Sequence, residues 1–312
     1  MERNILTMEQ FTMEVKKRAI QRFPRHQIVT ERVKKNNGLE LTALTIRAEN
    51  SNISPAIYLE GFFEAYIAGE SLETVMEQII ALYEKSKGEA KNFDVRQLVH
   101  FEQIKDRICF KLINAERNKK LLQEIPHRMF HDLAIVYYIF FKEEKRGMAS
   151  ILVRNEVMER WNTTEEELYQ AAFKNTPKLL KGKIRSLEDV VTGVTTDRAE
   201  EMLGESTCEL EISEGATMYL VSNRMCLNGA GVILYDKVLA KFAERIGSDF
   251  YILPSSINEV LLVPRMRNAI DTRCLLGMVR EVNECDVSEE EILSDNVYYY
   301  NAQTGKICME EG

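Results

Sequence analysis

Apolar residues recur along this chain first at helical and then at strand spacing, and the succession repeats. Met8, Phe11, Val15, Ala19 and Phe23 fall three or four apart, which returns side chains to one helix face, so residues 7–23 read as an amphipathic helix closed by Pro24. His26 to Arg32 and Leu39 to Arg47 read as a hairpin turned by Asn36, Asn37 and Gly38, residue types that tolerate turn backbone. Pro55 opens a helical pair, Tyr58 to Ala68 and then a helix capped by Ser71 with Leu72, Val75, Ile79 and Leu82 on one face. Asp94 begins another helix, to about Asp106.

Ile108 to Asn114 alternates as a strand, and residues 118–124 form a short helix ended by Pro126. Leu133 to Phe141 is apolar without a break, which predicts a strand buried on both faces, in a hairpin with Met148 to Val153. Asn155 to Trp161 is a short helix, and Thr163 with Glu166 predicts a capping box for the next, stopped by Pro177. Residues 178–215 are charged and show only one or two short helices. Strands are predicted at Met218 to Ser222 and Gly231 to Leu234. Asp236 caps a helix ending at Gly247, where a left-handed C-cap is needed. Residues 247–264 read as strand, turn, strand. A helix at Thr272 to Asn283, a capping box at Ser288 and Glu291, and a hairpin of Val297 to Tyr300 with Lys306 to Met309 complete the chain.

Hairpins flanked by helices, with no repeated βαβ winding, predict an α+β fold: a mostly antiparallel sheet of hairpins with covering helices, in two regions. Residues 1–106 would be a helix-rich region with one hairpin, and residues 107–312 the main sheet domain.

Composition narrows the partners. No run approaches the roughly 18 apolar residues of a membrane-spanning helix, and the N-terminus has no signal-peptide core, so a cytoplasmic protein without a membrane partner is expected. Net charge is −8, and residues 284–312 carry eight Asp/Glu against one Lys, which argues against nucleic acid. The six cysteines are scattered without a Cys-x-x-Cys pair and read as free thiols.

Motifs exclude more than they assign. The chain has no P-loop, no Gly-x-Ser-x-Gly elbow and no His-Glu-x-x-His, and Gly229-Ala-Gly231 is too short for a dinucleotide fingerprint. No cofactor is expected. His127 and His131 would lie about 13 Å apart on a strand, too far for one metal. Cys109 has His100 upstream, but its apolar strand reads as a buried structural thiol.

Three polar or aromatic groupings are candidate binding residues. Ser255, Ser256, Asn258 and Glu259 crowd one turn, and Asn114, Arg117 and Asn118 follow a strand; such side chains also bond nearby backbone in ordinary turns. Tyr298 and Tyr300 alternate with Tyr299 on a strand expected at a sheet edge, where an open face would make a docking strip.

Residues 112–118 (Leu-Ile-Asn-Ala-Glu-Arg-Asn), Pro126-His-Arg128, Trp161, Asn175-Thr-Pro177, Leu234-Tyr235, 248–260, Val279 to Asn283 and Glu291 to Val297 together resemble an uncharacterised Firmicutes family, domain-of-unknown-function family 5688. The resemblance covers most of residues 108–300 and implies a bacterial, cytosolic setting without a known activity. The family pattern often has histidine where this chain has Asn258, so no acid–base residue carries over there. The expected function is a non-enzymatic module that binds a protein or peptide. The alternative is a hydrolase-like enzyme with its site at the 255–259 turn and His127 brought near.

Overall fold

The computed structural model describes residues 5–49, 54–86, 98–143, 147–193, 201–203, 207–211, 216–265 and 271–310. The fold is α+β and rich in antiparallel sheet. Contacts divide the chain into two compact units. The first comprises Met1–Lys35, Leu39–Leu98 and Lys142–Met148; the second comprises Asn36–Gly38, Val99–Phe141 and Ala149–Gly312.

In the first unit, helix α1 (Met8–Arg22) starts at a capping box in which Thr7 and Gln10 bond each other's backbone. Strands β1 (His26–Lys34) and β2 (Glu40–Ala48) pair antiparallel from His26–Ala48 to Lys34–Glu40. Strand β3 (Ala56–Tyr58) adds to β2 where the sequence predicts the start of a helix. Pro55 lacks an N–H and suits the lead-in to a sheet-edge strand, so α2 (Glu60–Ile67) begins later. On α3 (Leu72–Ser86) the buried stripe is Val75, Met76, Ile79 and Tyr83, while Leu82 is 41% exposed. The stripe is rotated from the expected one because the Tyr83 ring packs edge-on against Phe23 at 5.1 Å. Phe11, Val15, Ala19, Leu44, Ile46, Ile57 and Leu59 complete this core.

The second unit opens with a short helix, α4 (Phe101–Ile104); residues 94–97 of the helix predicted from Asp94 lie outside the described residues. Strand β4 (Ile108–Asn114) is followed by α5 (Lys119–Leu122), β5 (His127–Phe130), β6 (Leu133–Glu143) and β7 (Gly147–Leu152). Strand β6 is the spine of a small sheet and pairs with β4, β5 and β7. Every residue from Leu133 to Phe141 is buried, as an unbroken apolar run predicts.

Helix α6 (Asn155–Arg160) leads to α7 (Glu165–Leu179), whose capping box is Thr164 with Glu167, one residue beyond the predicted pair. Pro177 lies inside α7 instead of ending it. The turn around Pro177 is fixed from outside: Asn175 Nδ2 donates to the Lys105 and Ile108 carbonyls, and Thr176 Oγ1 donates to the Ala172 carbonyl while accepting the Phe110 amide. These bonds to β4 and its approach offset the one helical bond that proline removes.

The charged stretch 178–215 holds sheet as well as helix: β8 (Gly182–Ser186), α8 (Leu187–Thr192), β9 (Glu201–Leu203) and β10 (Cys208–Glu211). Then come β11 (Tyr219–Asn223), α9 (Val238–Ile246), β12 (Phe250–Leu253), β13 (Val260–Pro264), α10 (Thr272–Cys285), β14 (Val297–Asn301) and β15 (Lys306–Glu310). They form an eight-stranded sheet in the order β15-β14-β12-β13-β11-β8-β10-β9. Its neighbours are antiparallel except β8 with β10.

Three local expectations change here. Gly229–Leu234 is a 3-10 helix, not a strand, because Gly229 sits against Ser222 and Asn258. Lys237, at φ +59°, occupies the N-cap of α9 in place of Asp236, while Gly247 takes the expected left-handed C-cap at φ +71°. Ser288 and Glu291 form a turn without a helix, with the Glu291 amide on the Ser288 carbonyl. No helix among the described residues is long and apolar enough to cross a membrane.

All six cysteines are free thiols. Cys109 and Cys208 are buried, and desolvation pushes each thiol up to about 12. Cys226, Cys274, Cys285 and Cys308 are exposed. At mildly alkaline pH, iodoacetamide is expected to alkylate these four and spare Cys109 and Cys208 until the protein unfolds, as read by peptide mass spectrometry. A thiol raised in the folded state contributes stability below its unfolded value of 9.0, and that contribution is lost as pH climbs from 9 towards about 12. Early alkylation of either buried thiol in native protein would contradict this.

Candidate functional site

Three sequence candidates converge on one irregular segment of the second unit, residues 289–296. Asn37, held at φ +59°, donates from Nδ2 to the Glu289 and Ile292 carbonyls, and Asn36 donates to the Glu290 carbonyl. Asn118 closes a reciprocal pair with Asn37: its Oδ1 accepts the Asn37 amide and its Nδ2 donates to Asn37 Oδ1, both at 2.9 Å. Asn114 donates to the Leu293 carbonyl and accepts the Arg117 amide. Asn114 and Asn118 are therefore buried fastenings, and Arg117 lines a cavity.

The turn 254–259 fastens the same segment from another side. Asn258 Nδ2 donates to Glu291 Oε1 at 2.8 Å, and its Oδ1 accepts the Asn228 amide. The Ser255 hydroxyl donates to the Glu259 carbonyl, and Ser256 Oγ accepts the Asn258 amide. Both serine hydroxyls are engaged with backbone, and His127 Nδ1 lies on the Ile125 carbonyl in β5. Among the described residues, no histidine hydrogen-bonds to either serine.

Tyr298 and Tyr300 are buried in an interior strand, because β14 lies between β12 and β15; the sheet-edge expectation is corrected accordingly. The Tyr300 ring stacks on Phe250 at 4.9 Å. The Tyr298 hydroxyl donates to Asp132 Oδ1, while Asp132 Oδ2 accepts Ser294 Oγ at 2.6 Å and Asn296 Nδ2 at 3.0 Å. Burial, then the Asp132 charge, raises the Tyr298 hydroxyl pKa.

Beside the pinned segment is a cleft of about 680 Å3 whose lining includes Arg117, Arg280, Asn283, Glu284, Glu289 and Asp295. Helix α10 buries Leu275, Leu276 and Val279, and Asn283 is the polar residue that continues this stripe, 4% exposed. Asn283 Nδ2 donates to the Ser294 carbonyl and Asp295 Oδ1, both at 2.9 Å. Both partners are acceptors, which fixes the amide's orientation. Its Oδ1 is then a buried acceptor with no hydrogen-bond partner among the described residues.

Arg117 pairs with Asp295 at 3.1 Å across a partly exposed surface, worth about 1 kcal/mol or less. Arg280 has no ion-pair partner among the described residues. The lining thus offers cations and carboxylates, above a buried Asn283 whose Oδ1 has no hydrogen-bond partner among the described residues. Sequence reading found Arg117 but missed Arg280 and Asn283; a polar residue on an otherwise apolar helical stripe was the available signal. Among the described residues, no three His, Cys, Asp or Glu side chains are grouped to hold a metal.

The family model described as "Family of unknown function (DUF5688)" matches residues 8–302. No curated protein and no solved structure matches the chain significantly.

Proposed function

We propose that this chain, which belongs to the DUF5688 family, is a non-enzymatic binding module that takes a peptide segment of another protein in the Asn283 cleft. The supporting observation is the mixed charge of the cleft lining, in which Arg280 has no ion-pair partner among the described residues and stands with Glu284 and Glu289. Arg280 offers a carboxylate partner, and Glu284 and Glu289 offer partners for basic side chains. A peptide carries groups of both signs, whereas the carboxylates of the lining repel a polyphosphate chain. The 255–259 turn supports the hydrolase alternative less well, since its hydroxyls are occupied by backbone.

Selection of a displayed random-peptide library on the immobilised protein tests the reading. Enriched peptides are expected to share a charge pattern and, by calorimetry, to lose about tenfold or more in affinity for Arg280→Glu, an exposed substitution that leaves the fold intact. No enrichment over a control protein, or binding indifferent to Arg280→Glu, would sink the proposal.

A further inference from the structure

We infer a second binding site in the same unit, independent of the Asn283 cleft, for a small molecule carrying an oxyanion. It lies on the outer face of β8, β10 and β11. Gly182, Ile184 and Ser186 of β8 are buried, so Lys183 and Arg185 point the other way. The parallel register sets Glu209 beside Lys183 and Glu211 beside Arg185. The antiparallel register sets Ser222 beside Lys183 and Leu220 beside Arg185.

The outer face of a sheet is ordinarily a flat, solvated array of charges. Here it is hollow: a cavity of about 350 Å3 opens there, with Arg224 and Cys226 among its lining. At its floor the Glu209 side chain is 2% exposed and ion-paired with Arg224, which is thereby held at the wall. Lys183 pairs with Glu211 at 2.6 Å. Arg185, the remaining cation, has no ion-pair partner among the described residues.

Asn223 steadies the loop that closes the cavity. Its Oδ1 accepts the Met225 and Leu227 amides, and its Nδ2 donates to the Leu227 carbonyl. Among the described residues, Lys183, Arg185 and Arg224 face the two carboxylates of Glu209 and Glu211, one cation more than carboxylates. Guanidinium forks match the paired oxygens of a phosphoryl or carboxylate group. Leu220 supplies an apolar contact, and the volume suits a ligand at the small end of the usual range.

Calorimetric titrations of the full chain at low salt with inorganic phosphate, glycerol 3-phosphate and malonate test the inference. At least one anion is expected to bind saturably at millimolar concentration, about tenfold more weakly to Arg185→Gln, with partial recovery in Arg185→Lys. Preference for either phosphate compound over malonate would assign a phosphoryl ligand, and the reverse a carboxylate. The bound anion is also expected to slow alkylation of Cys226, but not of Cys274, in the wild type alone. No saturable binding, equal binding by Arg185→Gln, or unprotected Cys226 would overturn the site.

Discussion

Replacing Gly229 with alanine is expected to destabilise the protein by about 3 kcal/mol or more, one of the largest effects of any single methyl group added to this chain. A Cβ at this position would lie 2.8 Å from the Asn223 amide nitrogen, and closer still to Ser222 Oγ and the Asn258 carbonyl oxygen. Those last two atoms hydrogen-bond each other at 2.6 Å. The methyl group must therefore break that bond or push apart the β11 end, the 3-10 helix and the 254–259 turn. Backbone cannot yield as the tip of a flexible side chain does. Gly277 is the matched control, since it lies on the outer face of α10 with nothing within 4 Å of its Cβ direction. Gly277→Ala is expected to stabilise by up to about 1 kcal/mol through helix propensity. Urea denaturation of both variants checks the pair. A Gly229→Ala protein within about 1 kcal/mol of wild type would show the junction to be pliable.

Asp132→Ala is expected to cost about 3–4 kcal/mol, because one carboxylate accepts from Ser294, Asn296 and Tyr298. Removing it strands a buried phenol beside two other donors. Asp132→Asn keeps the shape but presents one oxygen and an N–H2 group, so it is expected to recover only part of the loss. Thermal unfolding of the two variants gives the order. The same carboxylate holds residues 294–298, next to the Asp295 wall of the cleft, so peptide affinity at the Asn283 cleft is expected to fall in both. Equal stability of Asp132→Ala and wild type would mean that water replaces the carboxylate at no cost.

The elements legible in the sequence are those whose burial is periodic and local. Helix α1 was plain from Phe11, Val15 and Ala19, as were β6 from its unbroken apolar run and the α9–Gly247–β12 succession from its helical stripe and cap. Strands β8 and β10 were missed because their outer faces alternate Lys-x-Arg and Glu-x-Glu, leaving too few apolar positions for a strand signal. The α7 cap slipped by one because Thr163-Thr164 is followed by three glutamates, which allows two registers; Thr163 still bonds Glu167. The tyrosines of β14 show what periodicity omits. Alternation gives the face of a strand, but its place in the sheet is set by pairing with β12, nearly fifty residues away. The candidate residues divide the same way. Asn114, Asn118 and Asn258 stood out as polar turn residues, yet their partners Leu293, Asn37 and Glu291 are too distant in sequence to be read from spacing.

The strand order also bears on how the chain emerges during synthesis. Strands β4 to β6 find one another within residues 108–143 and can pair early. Strand β12 obtains its second neighbour only when residues 297–301 have been made. Until then Phe250–Leu253, destined for burial at every position, is an apolar edge with unpaired backbone groups. A ribosome stalled, or a chain cut, just before Val297 would release a protein whose open β12 edge invites pairing with other chains.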